Sequence, residues 1–139
     1  MVELEGQGSL PPLPNTGANL VAFMSFAVSS GFGAQHPLIA LADRLHDAHH
    51  VSLGPLTTFY EAQVEDAEDA LKLERAWQDP GALLRSVAAM AAALAGDGQC
   101  QALAHRAAAD GLVAEVAALA TLLSGCLNAG ARVRLSYRL

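Results

Sequence analysis

The residues of this chain best suited to chemistry are two histidines and two aspartates that recur at helical spacing. They are Asp43, His46, Asp47 and His50. Because they stand at i, i+3, i+4 and i+7, a helix places all four side chains on one face. Two histidines four residues apart are a common pair of zinc ligands, and adjacent carboxylates complete or orient such a site. The spacing therefore predicts a divalent-metal site in a metal-dependent enzyme, with a solvated polar face as the alternative.

A second group of candidates is the acidic run that follows Thr58. Its members are Glu61, Glu65, Glu68 and Asp69. A magnesium site built from two acidic helices needs a second pair of acids, and the later helices offer only Asp110 and Glu115. We therefore interpret the run as an acidic contact face for another protein. The alternative is a solvated surface on which Glu68 and Lys72 form an i,i+4 ion pair.

A third candidate is the glycine loop that holds Ser30, Gly31 and Gly33. If the preceding apolar run is a strand, the loop and the following helix start form a geometry that binds phosphate. This arrangement predicts a nucleotide or sugar-nucleotide binder. The sequence over 26–51 also resembles the first βαβ unit of GT-B glycosyltransferases, in which a strand leads into a Gly-His-x-x-Pro loop and a leucine-rich helix. The resemblance covers about a fifth of the chain, and Ala34 stands at the family's catalytic histidine, so no catalytic role carries over.

Composition excludes several classes of function. The chain has only eight Lys and Arg and a net charge of −6, which disfavours nucleic-acid binding. Apolar residues make up 53%, which is too many for a disordered chain. No GxSxG nucleophile motif occurs. Cys100 and Cys126 form no CxxC motif and fall on apolar helical stripes, so we expect buried free thiols in a reducing compartment, the cytoplasm.

The N-terminal region carries no targeting signal that the sequence makes recognisable. Its first residues lack the basic segment of a secretory signal. The apolar run over 18–34 is short for a membrane span and is interrupted by Ser and Gly. We therefore expect a buried core element and no membrane partner.

Apolar periodicity and cap residues predict a single domain, 1–139, with about five or six helices. The segments run over about 17–30, 37–49, 58–79, 80–96, 100–107 and 112–129. Residues 18–30 are also compatible with a buried strand. Thr58 and Glu61 have the spacing of a capping box, which predicts a helix start there. The segment 112–129 carries Glu115 as its only charge, so we expect it at the centre of the fold.

Both chain ends alternate in the manner of strands, over 2–8 and 131–138. Glutamates occupy the polar face of the first strand, and Arg132, Arg134 and Arg138 lie on that of the last. Opposite charges that face each other across paired strands contribute about 0.2–1 kcal/mol each. We therefore predict that the two ends pair in one small sheet, with Arg138 the least constrained arginine.

These patterns together predict an α+β fold that is predominantly α-helical. The preferred function is a small cytosolic, non-enzymatic binding or regulatory protein of the immunity or adaptor type. It requires no cofactor and recognises another protein through the acidic face. The metal-dependent enzyme and the nucleotide binder stand as alternatives, and the sequence leaves homodimer formation open.

Overall fold

The computed structural model describes residues 2–29 and 36–137, which form six α-helices and a four-stranded sheet. The strands are β1 (Val2–Leu4), β2 (Gly8–Ser9), β3 (Phe59–Glu61) and β4 (Val133–Tyr137). The helices are α1 (Ala18–Ala27), α2 (Pro37–His49), α3 (Ala67–Arg75), α4 (Pro80–Gly96), α5 (Gly98–Arg106) and α6 (Leu112–Cys126). The predicted α+β class with mainly helical content is confirmed.

The sheet joins the two ends of the chain. Its order is β2-β1-β4-β3, and β4 is antiparallel to β1 but parallel to β3. The register places Glu3 opposite Arg134, and their side chains form an ion pair. Two residue pairs further along, Arg132 Nη2 lies 2.6 Å from Glu5 Oε2. The predicted pairing of the terminal strands is therefore confirmed, while Arg138 lies outside the described residues.

Arg134 also ties the sheet to the segment that follows α3. Its guanidinium lies 4.3 Å from the centre of the Trp77 ring, a cation–π contact. Its Nη1 donates a hydrogen bond to the carbonyl oxygen of Leu73 at 3.2 Å. The backbone of Gln78 bonds to Val133 in both directions. The basic face of β4 thus holds the end of α3 against the sheet.

The prediction of a helix that begins at Thr58 is wrong. The Thr58 hydroxyl donates to the Gly54 carbonyl at 2.9 Å, so it does not cap a helix at Glu61. Residues Phe59–Glu61 instead form β3, and the Ala62 amide donates to the Tyr137 carbonyl at 2.8 Å. The helix begins at Ala67 after Asp66, whose carboxylate accepts from the Asp69 amide. A long-range sheet ladder outcompetes the local cap.

Residues of the first apolar run form the helix α1, which settles the choice between helix and strand. The helix α6 packs chiefly on α4 and also contacts α1, and it buries Leu112, Leu119 and Leu123. Its outer side is open, however, and Val113 is 39% exposed. The expected central helix is therefore packed on one side rather than surrounded.

The segment Leu112–Ala129 is long and apolar enough to cross a membrane by length and composition alone. A third of this segment is buried within the fold. A core helix of a soluble protein has the same length and composition. The segment is therefore only a weak indication of a membrane span.

Glu115 supplies the missing cap of α1. The helix α1 has Gly17 at its N-cap position, which offers no side-chain acceptor. The fully buried Glu115 carboxylate of α6 accepts from the Leu20 amide at 3.0 Å and from the Asn19 side chain. A carboxylate at this end also complements the helix dipole. The single charge of α6 is thus a link between two helices.

We expect Glu115→Ala to lower the free energy of unfolding by about 1–3 kcal/mol, because the buried Leu20 amide loses its acceptor. Urea denaturation followed by far-UV circular dichroism measures this change. Thr121→Ala, at an exposed position of the same helix, is the matched control and should change little. Equal stability of the two variants would contradict the capping role.

Candidate functional site

The acidic run lies beside the edge of the sheet. We call Glu61, Glu65, Glu68 and Asp69 the acidic surface. β3 is the last strand of the described sheet, and it borders a cleft of about 450 Å³. Glu61 lines this cleft together with Asp69 and Lys72 of α3. Tyr137 forms part of the wall and meets Phe59 edge-on at 5.7 Å between ring centres.

The four acids belong to three different local structures. Glu61 ends β3, Glu65 lies in the following turn, and Glu68 stands in the first turn of α3. They do not share one helical face, because no helix spans 61–66. The structure nevertheless brings Glu61 and Asp69 to one cleft. Glu61 and Asp69 therefore come together although the helix predicted over 58–79 begins only at Ala67.

Local hydrogen bonds fix the turn that carries Glu65. The Asp69 amide donates to Asp66 Oδ1 at 2.9 Å, and the Glu65 amide donates to Asp69 Oδ2 at 3.2 Å. This reciprocal pattern is a variant of the capping box. Lys72 Nζ lies 3.9 Å from Glu68, so that the i,i+4 pair expected from the sequence is present. Asp69 therefore has a structural role besides its place in the cleft.

Apolar side chains are exposed among these acids. Tyr60 is 36% exposed, Val64 46% and Leu71 48%. Of the residues in α3, only Leu73 is buried. Tyr60 also lines the cleft that Glu61 and Asp69 share.

The four predicted metal ligands lie around the C-terminal half of α2. Asp43 is partly buried, whereas His46 and Asp47 are exposed and bond to each other at 3.0 Å. His50 follows the helix in a left-handed backbone conformation, with φ of 54°. Within residues 2–29 and 36–137, the group of three ligand atoms lying within 4.8 Å of one another is a different one, formed by His49, Asp97 and Cys100.

Asp97 is the centre of that group. It precedes α5, and its Oδ1 accepts from the Gln99 amide at 2.9 Å. Its Oδ2 accepts from Arg44 Nε at 2.7 Å, lies 2.6 Å from His49 Nε2, and lies 3.5 Å from Cys100 Sγ. We call Arg44, His49, Asp97 and Cys100 the Asp97 cluster. It joins the end of α2 to the start of α5.

The charges of this cluster follow from its contacts. Hydrogen bonds from Arg44 and then His49 hold the pKa of Asp97 well below its usual range. Burial, with a smaller contribution from Asp97, raises the pKa of the Cys100 thiol to about 11. Burial also raises the pKa of the Cys126 thiol. At neutral pH Asp97 is therefore ionised and both cysteines are protonated, which makes them poor nucleophiles.

The sequence does not reveal this cluster, because its members are distant from one another in the chain. Asp97 lies between Gly96 and Gly98, a position typical of a helix cap. That local signal predicts the bond to the Gln99 amide. It does not reveal that α2 brings Arg44 and His49 to the same oxygen.

The residues proposed for the ligand loop, Ser30, Gly31 and Gly33, lie outside the described residues, as does Ala34. The preceding segment is the helix α1 rather than a strand. The strand that leads into the loop in GT-B glycosyltransferases is therefore not formed by Ala18–Ala27. The strand–loop–helix arrangement predicted to bind phosphate therefore lacks its strand.

Comparison with known proteins gives no relative. No protein-family model, no curated protein and no solved structure shows a significant match to this chain. The class that the fold defines is a mainly helical α+β domain with a small mixed sheet. Any functional interpretation rests on the surfaces described above.

Two aspartates allow a matched test of the Asp97 cluster. Asp79 and Asp97 both cap a helix, but the Asp79 carboxylate accepts only from the Ala82 amide among its described contacts. Asparagine is as good a helix cap as aspartate. We expect Asp97→Asn to lower the melting temperature, because the charged bond to Arg44 is lost, while Asp79→Asn changes it little. Thermal unfolding at pH 7 measures both, and equal effects would contradict a role of Asp97 beyond capping.

Proposed function

We propose that this chain is a small, cytoplasmic, non-enzymatic binding protein that recognises a basic protein partner through the acidic surface. The observation that carries the proposal is the placement of Glu61 and Asp69 in one cleft at the edge of the sheet. Glu65 and Glu68 extend the negative charge beyond the cleft. The proposed type of protein is an adaptor or an immunity-type protein.

The chemistry of the surface supports a protein rather than a small ion as its ligand. Tyr60, Val64 and Leu71, which lie close to these acids in the sequence, have exposed side chains. Buried apolar contacts give affinity in protein interfaces, while charges at the rim guide association and select the partner. The net charge of −6 favours the approach of a basic partner.

The edge position of β3 supports the same interpretation. Its backbone pairs with β4 in parallel, and no further described strand follows it in the sheet. Edge strands are common attachment sites for a segment of another protein. The raised pKa values of Cys100 and Cys126 favour binding over thiol catalysis.

The test is a quantitative pull-down with the tagged chain as bait in extracts of the organism that encodes it. We expect Glu65→Lys/Glu68→Lys to weaken capture of the partner at least tenfold, about 1.4 kcal/mol, because like charges then face each other. Capture by the natural chain should also fall as salt is raised, because salt screens the attraction between opposite charges.

The matched control is Asp47→Lys/Asp110→Lys, which changes the net charge by the same amount. Both control aspartates are exposed, 76% and 67% of their side chains. Partner capture that is retained by the control and lost by the acidic-surface variant supports the proposal. Capture that is unchanged, or that falls equally in both variants, overturns it.

A further inference from the structure

The Asp97 cluster holds three ligand atoms of the types that transition metals prefer. They are His49 Nε2, an Asp97 carboxylate oxygen and Cys100 Sγ, all within 4.8 Å of one another. They come from the last residue of α2 and from the start of α5. Because these helices pack against each other, the three atoms are held together by the fold rather than by one flexible loop.

The distances are close to those of a tetrahedral centre. Ligand bonds of about 2.0–2.3 Å place neighbouring ligand atoms about 3.3–3.8 Å apart. Cys100 Sγ and Asp97 Oδ2 already lie 3.5 Å apart. His49 Nε2 lies 2.6 Å from the same oxygen, so the imidazole needs to withdraw by less than about 1 Å.

We propose that His49, Asp97 and Cys100 form a binding site for a divalent transition-metal ion of the zinc class. Thiolate and imidazole ligands favour zinc over magnesium and calcium, which prefer oxygen ligands alone. Three protein ligands leave a fourth position for water. This site is separate from the acidic surface and does not depend on its function.

Access to the site is from the surface. The side chains of His49 and Arg44 are 30% and 34% exposed, that of Asp97 is 12% exposed, and Cys100 is buried. The ion therefore meets the imidazole and the carboxylate first and the sulfur last. His49 is the last residue of α2, and its side chain is partly exposed.

Arg44 competes with the ion for Asp97. Its Nε lies 2.7 Å from Oδ2, and its positive charge opposes a second cation there. Its partly exposed side chain can turn into solvent when the metal binds. Removal of this charge should therefore strengthen metal binding, an effect that a purely structural cluster does not show.

Metal binding at Cys100 exchanges the thiol proton for a sulfur–metal bond. The Cys100 Sγ–H bond breaks, the Sγ–metal bond forms, and the proton passes to solvent. Asp97 donates a lone pair and releases no proton. The Nε2 proton through which His49 bonds to Asp97 passes to Nδ1 or to solvent, so that the Nε2 lone pair can bind the metal. No electron is transferred, so that no oxidant or reductant is needed.

The test uses the full chain, treated with a chelator and kept reduced, and titrated with Co²⁺ and then Zn²⁺. We expect one ion per chain by elemental analysis and a thiolate-to-cobalt absorption band in the near ultraviolet that zinc abolishes. We also expect Zn²⁺ to raise the melting temperature. Cys100→Ser should remove the band, and His49→Gln should weaken binding about 10–100-fold.

Matched variants distinguish this site from others on the chain. Cys126→Ser, at the other buried cysteine, and His46→Gln/His50→Gln should keep the full band and affinity. Arg44→Gln should bind more tightly than the natural chain, and circular dichroism shows that each variant is folded. No stoichiometric binding, an unchanged band in Cys100→Ser, or a band lost in Cys126→Ser or His46→Gln/His50→Gln overturns the proposal.

Discussion

The pairing of β4 on both of its edges is the constraint on which the rest of the structure depends. On one edge β1 pairs antiparallel, with Glu3 and Arg134 in register, and this joins the two ends of the chain. On the other edge β3 pairs in parallel and fixes the position of Glu61. Arg134 adds its contacts with Trp77 and Leu73. One five-residue strand thus positions the N-terminus, the end of α3 and the edge of the acidic surface.

The parts of the fold that the sequence predicts are those with complementary or periodic local patterns. Glutamates alternate in one terminal strand and arginines in the other, and this complementarity was sufficient to predict their pairing. The predicted segment 80–96 coincides with α4, whose N-cap is Asp79. The segment 58–66 was predicted to be helical because Thr58 and Glu61 have the spacing of a capping box. Its actual partner is β4, which lies more than 70 residues away in the sequence. Parallel pairing leaves no local signal in a three-residue strand.

The same distinction applies to the candidate sites. The acids around Glu65 are close together in the sequence, so composition alone predicts an acidic surface. The prediction that a helix spans this segment is wrong. The Asp97 cluster required α2 and α5 to pack, and periodicity alone placed His46 and His50 on the expected face instead of His49. Polar links between distant residues, such as the bond of Glu115 to the Leu20 amide at the start of α1, join helices in the same way. The sequence gives no signal for such a link when each partner is an isolated polar residue.

The central claim is that residues 59–61 form a strand beside β4 rather than a helix. Backbone nuclear magnetic resonance of the isotope-labelled chain tests it most directly. The structure predicts inter-strand proton contacts between Tyr60 and Ser136, and slow exchange of the Ala62 amide, which donates to Tyr137. Contacts of the i,i+3 type through residues 58–66, together with fast exchange at Ala62, would contradict the account.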